Sequence, residues 1–232
     1  MKTIQNYLVK QQSQFTQHRF FQQLTDDITL EQFASMASCL SFWVMSFQDL
    51  LRLNEARITN VEIRDLVRRH RLENTGHEHW FVSDVNEMKC KVLTLQSIYS
   101  RNYVTTRDAT YAIMSEVFQA RNDYERIALL LALESTSNIF LGVTVDFVDT
   151  LSYSISLRYF SDYNLEFEKN YAIFEQKLTT YLADIHLTQD DEENLLKMIE
   201  RVYHAFNLMF DGLTSALTVK PKVEKIPTLA LL

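Results

Sequence analysis

The sequence predicts an all-α fold, a single-domain helical bundle of about seven helices, and three observations carry that prediction. Gly occurs three times and Pro twice in 232 residues, and both prolines, Pro221 and Pro227, fall in the last dozen positions. A sheet protein of this length needs many positive-φ turns and chain reversals, and so more glycine; long helices joined by short connections do not. Apolar residues also recur at helical spacing through nearly every segment. Finally, hydrophobic residues make up 47% of the chain and aromatics 12%, enough to fill one large core.

Each element has a local justification. Ile4, Leu8, Phe15, Phe20, Phe21 and Leu24 give residues 3–24 an apolar face. Asp26-Asp27 interrupts that pattern, and Thr29 with Gln32 reads as a capping box that opens a helix over about 30–54. Asn60 is the expected N-cap of a third helix, 61–88. A short segment follows at 92–100. Thr105 with Asp108 opens the next helix, which ends near Arg121-Asn122. Asp123 then caps a very apolar helix running to about 152, and a further helix or broken pair spans 155–184. Thr188 with Asp191 starts the last helix, with Gly212 as its expected C-cap. The bundle domain is therefore 1–219. The remainder, 220–232, holds both prolines and reads as a non-helical tail.

Charge narrows the function classes. A net charge of −7 argues against a nucleic-acid partner, which demands clustered Lys and Arg to replace phosphate counterions. The densest basic run, Arg64 with Arg68-Arg69-His70-Arg71, is short and alternates with acids and apolar residues, as a solvated helix face does. Cys39 and Cys90 form no CxxC and no secretion-type framework, so two free thiols in a reducing compartment are expected. The first residues lack an apolar signal region. No run reaches eighteen uninterrupted apolar residues, since Glu134 and Asp146 break the longest ones, so no membrane partner is expected. The expected location is cytoplasmic.

The candidate chemistry lies in the third helix, which reads Arg69-His70-Arg71-Leu72-Glu73-Asn74-Thr75-Gly76-His77-Glu78-His79-Trp80-Phe81-Val82-Ser83-Asp84. At about 100° per residue, an unbroken helix places 70, 73, 77 and 84 within an arc of roughly 60°. That face alternates imidazole and carboxylate, and Glu73 with His77 has the i, i+4 spacing that reaches one ion, of the kind iron or manganese accepts. A histidine-rich face is as often a solvated surface. Gly76 inside a helix costs about 1 kcal/mol relative to Ala, which suggests a close approach there. Glu78 and His79 point off the stripe and are expected at the surface. A second signal is Glu134, set in Ile127-Ala128-Leu129-Leu130-Leu131-Ala132-Leu133-Glu134. A carboxylate there must be paired, protonated or bound to a cation. Its alternatives are a hydrogen bond to a neighbouring side chain or a place opposite Glu73 and His77 in a metal site.

The order of His18-Arg19-Phe20-Phe21, the aromatic Phe42-Trp43-Val44-Met45-Ser46-Phe47, and His70-x-x-Glu73-x-x-Gly76-His77 followed by Asp84 resembles the heme-oxygenase-like superfamily. That superfamily includes TenA and PqqC proteins and non-heme diiron oxidases. The resemblance covers most of residues 15–212. It implies a commonly dimeric all-α bundle with its site between central helices, hence a homodimer here. In diiron members the ligands are a Glu and a His on the third helix, a Glu on the next long helix, and a later His-x-x-x-Asp-x-x-His set. Carried over, these are Glu73 and His77, with His70 nearby, and Glu134. The third set departs: Tyr159–Tyr171 contains no histidine, so two imidazoles are missing, although Glu166 or Glu168 could still serve as a donor. No heme is expected, since no glycine-rich distal segment is present, and His18 and His204 read as packing histidines. Trp43, Phe47, Tyr163 and Tyr171 would line a pocket for a small organic ligand or substrate. Three functions follow: an iron-dependent oxidase or oxygenase with an incomplete ligand set, a degenerate small-molecule-binding or regulatory protein, or a metal-free TenA/PqqC-type cofactor-pathway enzyme using His and Tyr as acid/base groups.

Overall fold

The computed structural model describes residues 2–88, 94–151, 156–161, 164, 169–183 and 185–218. In chain order the helices are α1 (Lys2–Phe15), α2 (Arg19–Gln23), α3 (Leu30–Glu55), α4 (Val61–Glu73), α5 (His77–Glu87), α6 (Leu95–Ile98), α7 (Val104–Gln119, after a 3-10 turn Arg101–Tyr103), α8 (Asp123–Thr150), α9 (Lys169–Ala183) and α10 (Gln189–Thr218). The described residues contain no strand, and eight of the helices are long ones. The all-α bundle is as expected. The tail 220–232 and Cys90 lie outside the described residues.

Several starts follow their capping signals. Thr29 and Gln32 form the reciprocal capping box of α3, Asn60 Oδ1 accepts from Ile63 N at the start of α4, and Thr188 Oγ1 accepts from Asp191 N ahead of α10. The cap of α8 is Asn122 rather than Asp123. Asp123 serves a neighbour instead, accepting from Thr59 N, Thr59 Oγ1 and Asn60 N at 2.7–2.8 Å. It thereby ties the α3–α4 connection to the head of α8.

Four boundaries differ from the sequence reading. Thr105 and Asp108, expected to open the fifth helix, lie inside α7, which starts at Val104 with no side-chain cap. The first segment ends at Phe15 and restarts at Arg19, where His18 Nδ1 accepts from Phe20 N. The last helix runs through Gly212 to Thr218. Gly212 is there for contact: a Cβ at that position would sit 2.1 Å from Thr105 Oγ1 on α7. The third helix is two helices. Gly76 takes φ +99°, a left-handed conformation costly for any residue with a Cβ, and the chain turns there between α4 and α5. Nothing lies within 4 Å of a Cβ placed on Gly76, so the glycine serves the turn and not a close approach.

α8 holds the centre. Every residue from Glu125 to Thr136 is buried, as expected for a helix that is apolar all round. Among the described residues it is the one helix long and apolar enough to cross a membrane, and 72% of its most apolar window is buried within the protein. α10 packs against α7, α3, α8 and α1, while α4 and α9 flank α8 and α3. The break at Gly76 aims the end of α4 and the start of α5 at the middle of α8, which is where the site lies.

Candidate functional site

His70 and Glu134 meet inside the bundle. His70 Nε2 lies 2.8 Å from Glu134 Oε1, and their side chains are 6% and 3% exposed. The imidazole is fixed from its face by Phe174 of α9, stacked at 4.0 Å and 10° between planes. Asn74 Nδ2 is 3.4 Å from the same Nε2 and 3.0 Å from the His70 carbonyl oxygen. One ring nitrogen cannot donate to a carboxylate and accept from an amide at once. The shorter contacts decide the pattern: Nε2–H donates to Glu134, and Asn74 donates to the backbone. The bond leaves the second oxygen of Glu134 with accepting capacity.

Glu134 forms part of the wall of a cavity shared with Trp43, Phe47, Gln48, Asn74, His77 and Glu78. Ser137 and Leu141 follow Glu134 on the same face of α8, three and seven residues on, and both line it. His77 stacks on Trp80 at 4.4 Å, and the Arg158 guanidinium sits 4.1 Å over the other ring system of that stack, Trp80. Burial pushes the His77 imidazole below its ordinary range; Glu78 and Glu134 oppose that, while His70 and Arg158 add to it. His77 is thus within electrostatic reach of the pair. Glu78 Oε2 accepts from Gly76 N at 3.1 Å, so it turns inward across the break instead of out to solvent as expected.

The far wall is held by Asp84. Its two oxygens accept from the backbone N–H groups of Arg158, Tyr159 and Phe160 at 2.7–3.1 Å, which sets Tyr159 against the cavity. Asp84 is 2% exposed, and burial raises its carboxyl against those three donors. Asn164 Nδ2 donates to Tyr159 O at 2.9 Å and fixes the same turn.

The site therefore gathers His70, His77, Glu134, Trp43 and Phe47 from the expected set. Glu73 is not part of it. It is exposed on the last turn of α4, because the chain breaks before His77 and the 73/77 face never exists. Asp84 also leaves the stripe, for its backbone donors. Of the packing histidines, His18 fits the expectation and His204 is exposed. Glu168 and Tyr163 lie outside the described residues, as does the Tyr171 side chain. Sequence reasoning missed Asn74, Gln48, Glu78 and Ser137, whereas Tyr159 belongs to the Tyr153–Tyr171 cluster expected to line a pocket. Reading Asn74-Thr75-Gly76 as a helix end would have found the first and third.

The arrangement matches known architecture. No protein-family model matches the sequence, and no curated protein matches it. Among solved structures, a CADD-like protein of unknown function from Nostoc punctiforme PCC 73102 superposes with TM-score 0.62 at 15% identity, over 93% of this chain and 98% of that one. A second crystal structure of it gives TM-score 0.65 at 17% identity, over 90% and 96%. A domain of unknown function with a heme oxygenase-like fold from Shewanella denitrificans OS217 gives 0.63 at 14% identity, over 91% and 90%.

The chain has the heme-oxygenase-like fold.

Likeness at this identity concerns the fold, so the donor set must be tested on its own residues. A heme-oxygenase-like diiron centre needs several carboxylates and imidazoles converging on one point. Here Glu73 points out, His70 Nε2 is bonded straight to Glu134, and His77 is stacked on Trp80. No group of three His, Cys, Asp or Glu among the described residues is placed to hold a metal ion. Among the described residues, which leave out Glu166 and Glu168, the donors do not fit a diiron centre.

Proposed function

We propose that this chain is a small-molecule-binding protein that keeps the heme-oxygenase-like bundle and uses the Glu134–His70 pair as the polar anchor for an organic ligand. The carrying observation is that pair: two buried ionisable groups, 2.8 Å apart, with Glu134 at the wall of an aromatic cavity. Burying a carboxylate and an imidazole costs more than burying apolar residues of the same volume. A bundle centred on so apolar a helix gains nothing structural from them that Leu and Phe would not supply. Their use is as a rigid acceptor at a fixed depth. His70, clamped by Phe174, orients Glu134; Glu134 then accepts from a ligand N–H or O–H, with Trp43 and Phe47 closing over the ligand body.

The reading is tested by denaturing freshly purified protein and identifying released organic compounds by mass spectrometry, beside a Glu134→Gln variant. The wild type is expected to release a defined compound, and the variant at least tenfold less, since a charge-assisted hydrogen bond is worth roughly 1.5–3 kcal/mol. Equal recovery from both proteins, or none from either, would overturn the anchor assignment.

A further inference from the structure

A second lobe adjoins the anchor cavity. Trp43, Ser137, Leu141 and Tyr159 line both spaces, so the two meet across those four residues. The rest of the second lobe's apolar lining is Leu40, Phe140, Phe206, Met209 and Phe210. Phe206 and Met209 are 2% and 0% exposed. Phe206 meets Trp43 edge-on at 5.2 Å, and Phe140 meets Phe210 at 5.7 Å. The polar side chain at this end, Thr136, already donates its hydroxyl to Ala132 O at 2.8 Å. Away from the shared residues Ser137 and Tyr159, the lobe thus presents carbon and a deformable thioether.

The two ends differ in charge as well as polarity. Among the described residues lining either lobe, the charged side chains are Glu78 and Glu134, and neither Lys nor Arg is present. Arg158 is stacked on the Trp80 ring and lines neither lobe. A carboxylate or phosphate head in the polar lobe would be desolvated beside two carboxylates, which is unfavourable. An ammonium head would meet a carboxylate already oriented by His70.

Resting on the reading of Glu134–His70 as the anchor, we infer that the ligand is a cationic amphiphile: a protonated amine head held at Glu134, with an apolar tail that runs past Ser137 into the adjoining Phe140/Phe206/Met209 lobe.

Isothermal titration of the full-length protein with n-butylamine, n-hexylamine, n-octylamine, n-octanol and octanoate, all below their aggregation concentrations, tests this. Affinity is expected to rise about fourfold per methylene from butylamine to octylamine, and octylamine is expected to bind at least tenfold more tightly than octanoate. Ser137→Phe, which leaves the surface charge unchanged, is expected to flatten the length dependence while butylamine still binds. A wild-type series with no length dependence overturns the tail assignment and leaves the Glu134 anchor standing. Octanoate binding as tightly as octylamine overturns the cationic head. Failure of every amine, with a compound still released from wild type and lost in Glu134→Gln, overturns the amphiphile class and not the small-molecule reading. Should Ser137→Phe fail to fold, the wild-type series decides alone.

Discussion

Glu134 was legible in the sequence because a lone carboxylate in an apolar helix demands a partner, and the structure supplies His70. The direct pairing was not legible, since it joins residues 64 apart in sequence on two different helices. Truncating either member leaves the other buried and unpaired. His70→Ala is therefore expected to destabilise the fold by about 3–5 kcal/mol in urea unfolding, whereas a His70→Phe/Glu134→Leu double variant should match or exceed wild-type stability while losing ligand. A double variant as unstable as the single would mean the pair is structural. His77 gives a second prediction at this scale. Its folded-state pKa lies below the ordinary 6.5 because it is buried, so the unfolded chain binds its proton more readily. Stability is thus complete above the unfolded value and falls as pH drops through it. The urea midpoint should decline between about pH 7.5 and about pH 5.5, and His77→Gln should make that decline shallower. His18, also lowered by burial, would supply the remaining slope.

Elements were read well where caps mark them and poorly where a glycine has two meanings. Thr29, Asn60 and Thr188 announce their helices through side-chain hydrogen bonds that operate locally, so three residues of sequence suffice. Gly76 and Gly212 were each given the other's role. Gly76 ends a helix by conformation, and Gly212 sits within one because Thr105 leaves no room, a fact carried by a residue far away in sequence. The two predict different rescue behaviour. Gly76→Ala should cost about 1–2 kcal/mol through the left-handed backbone alone, and no second-site change should restore it. Gly212→Ala should be destabilising too, with partial recovery in the Thr105→Ala background, because the nearest obstacle is the Thr105 hydroxyl at 2.1 Å. The same break in the chain parts His77 from the face of Glu73. A continuous-helix projection cannot foresee that, since one positive φ rotates everything after it. Asp84 shows the element-scale role of a buried acid outside the ligand chemistry. Asp84→Ala leaves three backbone donors at 158–160 without their acceptor and should cost at least about 1–3 kcal/mol. It should also weaken ligand binding through Tyr159, where a role confined to the far side of the bundle would leave affinity unchanged.

At the scale of the molecule, the near absence of Gly and Pro and the one wholly apolar helix were enough to predict an all-α bundle, and the resemblance in residue order matched the heme-oxygenase-like fold. Folds of this kind carry many chemistries, so the fold cannot choose among them. The choice falls to the cavity: two carboxylates and one imidazole at one end, with His70 bonded behind Glu134, and aromatic carbon in the adjoining lobe. Metal content separates that account from its rival most directly. Elemental analysis of protein freshly purified from iron- and manganese-supplemented cells should find both metals well below one equivalent per chain, unchanged by His70→Ala/Glu134→Gln. One or more equivalents of either metal, lost in that double variant, would contradict it.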